Sequence, residues 1–369
     1  MDSHDPRPQL GGLAVVLLYV LLEEQKLIKT QTMGKKILIT GASGFIGGFL
    51  VDEALKRGYD VWAGVRAHSS RTHLSDPRIH FIDLSYQDPE KLTEQLREFR
   101  NANGSFDYVI HNAGLTKTND PKQFFVVNAE NTHRLIEALA DSGCSVKKFA
   151  LMSSLSGFGK GDEKTFRPIM LTDEQRPDTA YGRSKVEAER YLKEQNHFPY
   201  IILRPTGVYG PGEKDYFMEV KMIAAGFDFA VGSTPQRITF IYVRDLAAAV
   251  FLLLENETVM NRAFFVADGD VWTDSQYARL IQKILGKKHV LHARIPLPLV
   301  KTACAVSETI GKWLHKSMTL NNDKYHILSQ RNWICDLTEL HSLGFKAQYP
   351  LERGLRESID WYKQHGWMK

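Results

Sequence analysis

Tyr181 and Lys185 stand four residues apart in the stretch AYGRSKVEAE, and three serines, Ser153, Ser154 and Ser156, precede them in LMSSLSGFG. Four residues is about one helical turn, so on a helix the phenol and the ammonium emerge on the same face, one above the other. A free phenol, with a pKa near 10, is a poor base at neutral pH; a fixed ammonium beside it favours the phenolate and is expected to lower that value. The chemistry on offer is proton exchange with an oxygen. Alone, such a pair reads more often as a surface tyrosine and lysine, so its meaning depends on what the rest of the chain places around it.

The second group is TGASGFIGG, with glycines at 41, 44 and 47 after an apolar strand and at the start of a helix. Glycines there allow a tight turn and a close backbone approach, and they leave the helix N-terminus facing an anion such as a pyrophosphate. At the end of the next strand, where an acidic residue would bind both hydroxyls of an adenosine ribose, the chain has GVRAHSSR. Arg66, with Ser69, Ser70 and Arg71 behind it, suits a 2′-phosphate, so NADP is favoured over NAD as the cofactor. Asp83, in FIDL, reads equally as an acceptor for the adenine amine and as a helix cap.

These groups need a scaffold, and the text from Lys35 supplies one. KKILIT reads as a strand, FLVDEALKRG as a helix with a glycine stop, and DVWAGVR as a second strand. The alternation continues through RIHFIDL, KLTEQLREF, FDYVIHNAG, NAENTHRLIEALADSG, KKFALMSS, the helix holding YGRSK, and YIILRP. Strands alternating with helices imply right-handed crossovers, hence an α/β fold with a doubly wound parallel sheet covered on both faces. After Gly210 the alternation loosens. The expected organisation is an N-terminal extension over 1–32, read equally as sequence ahead of a natural start at Met33 and as a peripheral amphipathic tail, a dinucleotide-binding domain over 33–210, and a smaller, mainly helical substrate lobe over 211–369, with 238–270 returning to the first domain.

Composition narrows the function. The 369 residues are 43% apolar and 24% charged, with a formal net charge of +4 and no Lys/Arg-rich block, which argues against a nucleic-acid partner. The apolar run Gly11–Leu22 is short of the roughly 20 residues that cross a bilayer, so no integral membrane span is expected. The segment before MGKKILIT lacks the basic start and cleavage site of a signal peptide. The three cysteines, Cys144, Cys304 and Cys335, are widely spaced and read as thiols of a reducing cytoplasm, and no metal-ligand spacing is found.

Together, TGASGFIG, HNAG at 111–114, the serines of LMSSLSGFG and the YGRSK pentapeptide resemble the extended short-chain dehydrogenase/reductase family, within the NAD-dependent epimerase/dehydratase superfamily. The resemblance implies a Rossmann fold with a C-terminal substrate lobe and a homodimer. It implies Tyr181 as acid/base, Lys185 beside it and bonded to the nicotinamide ribose, and Ser154, ahead of the Phe158–Gly159 pair, on the reacting oxygen. On the cofactor it implies Gly41, Ser43, Gly44, Phe45, Ile46, Gly47, Arg66, Ser70, Asp83, Leu84, Asn112, Ala113, Gly114, Lys117, Asn128, Pro205 and Val208, and Thr116 is placed toward the substrate. Asn128 would brace the site from the next helix, unless it is a helix cap. Phe158, Tyr209, Tyr216 and Phe217 are expected to line the substrate pocket, while IPLPLVKTACAV, Trp313, Leu314 and Trp333 read as core or as further apolar lining.

Nucleotide-sugar members of that family commonly carry RxFNVYGP, where this chain has RPTGVYGP, with Gly207 in the place of the asparagine. An arginine they carry before an aromatic is replaced by Ile238, with Arg237 displaced by one. RPTGVYGP and the ending GLRESIDWYKQHGW look more like the hydroxysteroid dehydrogenase and dihydroflavonol reductase side. The expected activity is NADP-preferring hydride transfer to or from a carbonyl or secondary alcohol of a mainly apolar small molecule. The alternatives are a nucleotide-sugar epimerase or dehydratase with tightly held NAD, and a non-catalytic redox-sensing binding protein.

Overall fold

The structure is a computed structural model in which residue 32 and residues 34–368, apart from 67, 119 and 315–321, are described. The expectations for the N-terminal apolar run lie outside the described residues. Strand β1 (Lys36–Thr40) is buried on both sides from Ile37 onward, as a strand covered by helices on both faces must be. Helix α1 (Phe45–Arg57) ends at Gly58, whose left-handed φ of 88° lets its N–H reach the Ala54 and Leu55 carbonyls. A glycine adopts that conformation without steric penalty, which stops the helix. Next come β2 (Asp60–Gly64), β3 (His80–Ile82), α2 (Pro89–Asn103) and β4 (Tyr108–His111). A helical stretch from Lys122, π-helical over Phe125–Glu130, runs into α3 (Asn131–Asp141).

Strand β5 (Lys148–Met152), helix α4 (Ala180–Glu194) and strand β6 (Tyr200–Pro205) complete the regular alternation. Then follow β7 (Gly207–Tyr209), α5 (Asp215–Ala224), β8 (Phe227–Val231), β9 (Arg237–Ile238), β10 (Phe240–Tyr242), α6 (Val243–Glu255) and β11 (Arg262–Val266). The chain closes with β12 (Trp272–Thr273), α7 (Asp274–Ile284), β13 (Leu291–Ile295), α8 (Leu297–Leu314), α9 (Asn322–Ser329), α10 (Thr338–Ser342) and α11 (Leu351–Gln364).

Seven strands form one sheet in the order β3-β2-β1-β4-β5-β6-β11, every pair parallel. The order reverses between β1 and β4, which opens a crevice at their C-terminal ends. Alternate residues of one strand serve opposite cores: Ile37 and Ile39 pack with Leu50 and Val51 of α1 and Leu246 and Val250 of α6. Leu38 packs on the other face with Leu96 of α2, Leu135 of α3 and Leu192 of α4. The doubly wound Rossmann-type sheet is thus the expected one. A third core joins Tyr209, Phe240, Tyr242, Ile223, Tyr277 and Ile359 in the C-terminal part.

The run RIHFIDL, expected as a full strand, forms only the three residues of β3 at the sheet edge. The parallel pair β8–β13 was not anticipated. Its sequence, FDFAV, buries Asp228 and exposes Phe227 and Phe229, the inverse of the pattern that announces a strand. All three cysteines are buried and unpaired. Among the described residues no helix is long and apolar enough to cross a membrane.

Candidate active site

The glycine turn after β1 is built on backbone contact. A Cβ on Gly41, whose φ is +66°, would lie 2.7 Å from Cα of Ala113, and one on Gly47 would lie 2.1 Å from the carbonyl oxygen of Gly41. Side chains at either position would push the β1 turn, the end of β4 and α1 apart, so glycine sets the close approach. Gly44 precedes α1 with extended backbone and no side-chain cap, and Ser43, Phe45 and Ile46 around it are half-buried. An uncapped helix start beside a glycine turn fits the pyrophosphate of a dinucleotide.

Beyond β2, Arg66 and Ser70 are exposed, Ser70 bonds Thr72 through their hydroxyls at 2.8 Å, and the Arg71 guanidinium lies 4.3 Å over the Phe81 ring. Asp83 is exposed beside buried Leu84. It caps no helix: Asp88 does, accepting from the Lys91 N–H at 3.1 Å, which removes one of the two readings of Asp83.

At the end of β4, His111 is wholly enclosed between two threonines. The Ala113 N–H donates to Thr40 Oγ1 (3.1 Å), which faces His111 Nδ1 at 2.8 Å; His111 Nε2 faces Thr132 Oγ1 at 3.0 Å, and that hydroxyl donates to the Asn128 carbonyl (2.7 Å). With Thr132 already donating, the imidazole proton belongs on Nε2. Burial, and then the charge of Lys185, push His111 down to about 3, so the ring is neutral. This chain of bonds fixes the Asn112–Gly114 backbone. Asn112 itself donates to the Gly41 carbonyl at 3.4 Å.

Asn128 lies inside the π-helical stretch and is not a helix cap. Its amide accepts from the Leu115 N–H (2.6 Å) and donates to the Leu115 carbonyl (3.0 Å) and to Ser184 Oγ (3.0 Å), tying the loop after β4 to α4. Single turns of π-helix recur where a side chain must be aimed at a site.

Helix α4 starts with Thr179 Oγ1 accepting from the Gly182 N–H (2.9 Å), and Asp323 of α9 accepts from the Ala180 N–H (3.0 Å). Lys185 is buried, donates to the Met152 carbonyl at 2.8 Å, and lies 5.9 Å from the Tyr181 ring centroid. A Cβ on Gly114 would be 3.2 Å from its Nζ. Burial lowers Lys185 to about 8, with Glu189 acting the other way. Tyr181 departs from the expectation. Burial raises its pKa above the usual 10, and what offsets this is a hydrogen bond with Ser154 rather than the lysine ammonium.

The three serines separate cleanly. Ser154 Oγ accepts from the Ser156 N–H at 3.1 Å, which leaves its proton for Tyr181. Ser153 Oγ instead donates to Glu189 at 2.6 Å. Ser154, Tyr181 and Lys185 are therefore brought together, with Lys185 Nζ beside Gly114 after β4.

The aromatic expectations fare differently. Tyr209 is 1% exposed, packed on Phe240 and Tyr242, and Phe158 is 4% exposed against Phe265 with the Arg204 guanidinium 4.9 Å from its ring. Phe217 packs on Tyr362 and Trp367. Tyr209 is buried beneath Gly354 of α11 and Phe158 against Phe265, while Phe217 is half-buried against the third core. Trp333 is half-buried against Phe158's cluster, and the side chains of Trp313 and Leu314 lie outside the described residues. Tyr216 remains: a Cβ on Gly207 would lie 2.0 Å from its hydroxyl oxygen, so its phenol occupies the space over Gly207, held by Phe240 and Tyr277. Thr116 is exposed, as is Lys117, which is ion-paired with Asp215. Pro205 ends β6, and Val208 lies half-buried in β7 against the first core.

Two residues escaped sequence reasoning. His111 stood in the quoted HNAG, and its placement at a strand end was the available signal. Glu189 looked like a surface acid in VEAER yet is fully buried against Arg204.

The NAD dependent epimerase/dehydratase family model matches residues 37–267. The chain is 26% identical to the UDP-glucose 4-epimerase of Vibrio cholerae, over 90% of this chain and 97% of that protein. It is 25% identical to a 3-beta-hydroxysteroid dehydrogenase of Mycolicibacterium neoaurum, over 89% and 91%. The solved UDP-glucose 4-epimerase of Thermotoga maritima, with UDP-glucose, shares the fold at a TM-score of 0.70 and 23% identity, covering 89% of this chain and 99% of that one. With a family match spanning the sheet, the glycine turn and the Ser154–Tyr181–Lys185 constellation, the chain belongs to the NAD dependent epimerase/dehydratase family.

Proposed function

We propose that the protein is an NADP-preferring dehydrogenase or reductase acting on a carbonyl or secondary alcohol of an uncharged, mainly apolar molecule. The observation that carries this reading is Tyr216 over Gly207. At the C-terminal end of β6, where α/β folds receive ligands, the chain presents a neutral phenol on an aromatic wall. The same helix adds Asp215 and Glu219, the latter pushed up to about 8 by burial and by the nearby Asp228 and Asp274. Lys117 and Lys324 approach that wall, and both are engaged with Asp215. A diphosphate would meet carboxyl groups and paired lysines there, whereas a neutral oxygen meets a hydrogen-bond donor. Arg66 and Ser70 support the NADP preference.

A dinucleotide held at its pyrophosphate by the glycine turn and at its nicotinamide end by Lys185 and the Asn112–Gly114 backbone would supply the hydride. The protein's part is the proton. Burial keeps Tyr181 protonated, so in the reducing direction it delivers its proton to the substrate oxygen while Ser154 donates a hydrogen bond to the same atom. In the oxidising direction Tyr181 receives that proton. Asn128 and the His111 chain hold the surrounding backbone in place.

A second reading, a nucleotide-sugar epimerase or dehydratase, is favoured by the identity with the Vibrio enzyme over nearly all of both chains. The two part on cofactor retention. An epimerase regenerates its cofactor within each cycle and has no need to release it. Mass spectrometry of small molecules freed by denaturing fresh protein is expected to find no cofactor, or exchangeable NADP; one equivalent of NAD surviving purification would overturn the reductase reading.

A further inference from the structure

The end of β5, helix α4 and the end of β6 each contribute to the site, and one side chain touches all three. Glu189 lies one turn beyond Lys185 on α4 and is 0% exposed. Its Oε1 accepts from Ser153 Oγ (2.6 Å) and from Arg204 Nε (2.9 Å); its Oε2 accepts from Arg204 Nη2 (2.5 Å), Gln175 Nε2 (3.2 Å) and Lys193 Nζ (3.3 Å). Ser153 is the neighbour of Ser154, and Arg204 precedes Pro205 at the end of β6. We propose that Glu189 is the positioning residue of this site, clamping the Ser154 turn, the Lys185 helix and the β6 end together and balancing the charge of the Lys185 ammonium.

This rests on the reading of Ser154, Tyr181 and Lys185 as the reacting set. Buried ion pairs stabilise little compared with apolar residues of the same size, because desolvation consumes most of the attraction. Here the arrangement has a different consequence. The groups facing Lys185 are the Tyr181 ring and Glu189 from its own helix, neutral His111 from β4 and the Met152 carbonyl from β5. Tyr181 keeps its proton and His111 carries no charge, so among these groups Glu189 is the one anion. The carboxylate keeps its charge: burial pushes it up, but the Arg204 bonds and charge, then Ser153, bring it below the ordinary value. Without Glu189 the lysine is left buried with no anion among the groups that face it, and it then loses its proton at lower pH.

The test reads NADPH binding by fluorescence across pH, with no substrate present, so it stands apart from which reaction the protein performs. In the native protein, affinity should fall as pH rises through about 8, where Lys185 loses its charge. In Glu189→Gln the midpoint should move down by at least about one pH unit. Glu189→Asp, which keeps the charge, should retain most of the native midpoint. Ser153→Ala cuts one arm of the clamp and should leave the midpoint unmoved. A folded Glu189→Gln protein with the native midpoint overturns the proposal. If that variant does not fold, Glu189→Gln is made within Arg204→Gln and compared with Arg204→Gln alone, so that only the carboxylate differs; a midpoint no lower than that of Arg204→Gln then overturns it. The reductase reading fails by a different result, a retained equivalent of NAD.

Discussion

Replacing Lys185 by methionine should make the protein's stability respond differently to pH, by an amount the structure allows us to work out. Burial lowers Lys185 from 10.5 to about 8, so the folded state binds this proton less tightly than the unfolded chain does. Below the folded value both states hold the proton, and the native protein bears the full penalty of a buried ammonium. Between the two values the unfolded chain holds more protons, so the contribution of Lys185 to stability improves as pH rises. The full penalty is about 3 kcal/mol for the 2.5-unit difference between those two values. Applying both values, it falls from about 3 kcal/mol at about pH 7 to about 1 kcal/mol at about pH 9.5. Urea unfolding of the native protein and Lys185→Met at those two pH values cancels the groups they share. The native-minus-variant stability should rise by about 2 kcal/mol across the window, with equal m-values. At pH 7 the variant is relieved of the ammonium penalty but loses the bond to Met152, so it should be close to native stability while its function is lost. A difference that stays constant within about 0.5 kcal/mol across the window would refute the burial argument.

Other outcomes are as specific. Tyr181→Phe should lower turnover about 10²–10⁴-fold while the dissociation constant for NADPH, measured by fluorescence titration, stays near its native value. Gly207→Ala drives a methyl group into the Tyr216 hydroxyl and should cost about 1–3 kcal/mol in urea unfolding. Adding Tyr216→Phe removes the atom in conflict and should recover much of that loss, so strict additivity of the two changes would contradict the geometry. Arg66→Ala should raise KM for NADPH about tenfold and leave that for NADH unchanged; equal effects on both cofactors would remove Arg66 from the 2′-phosphate.

The parts of the fold that were legible are those in which a local pattern is also the physical cause. Gly41 and Gly47 are where the turn, strand and helix meet backbone to backbone, and the one-turn spacing of Tyr181 and Lys185 survives directly on α4. Ser154 was separable from Ser153 only by its distance from Phe158, and the structure gives the reason: Ser153 is occupied by Glu189. What could not be read depends on partners distant in the chain. Tyr209, Phe158 and Phe217 lie near the serine or the loop after β6 in sequence, but Tyr209 and Phe217 pack with residues of α11 and Phe158 packs with Phe265 and Leu337. The direction of the Tyr181 shift depends on desolvation, which no spacing reveals. Glu189 carries the helical signature of a surface acid, and nothing around VEAER announces an arginine on the next strand.

The seventh strand has a consequence for how the chain is made. Six strands of the sheet are complete once Pro205 has been synthesised, but β11, which covers the outer edge of β6, begins only at Arg262. Until then a nascent chain presents the backbone edge of Ile201, Ile202 and Leu203 without its neighbour, and α6, which shares the core of α1, is also missing. An unpaired apolar strand edge is a template for association with other chains. Fragments released between residues 205 and 262 are therefore expected to aggregate even though they contain the whole glycine turn and the Ser154–Tyr181–Lys185 set. The last strand of this sheet to arrive carries none of those groups, yet the solubility of everything made before it is expected to depend on its arrival.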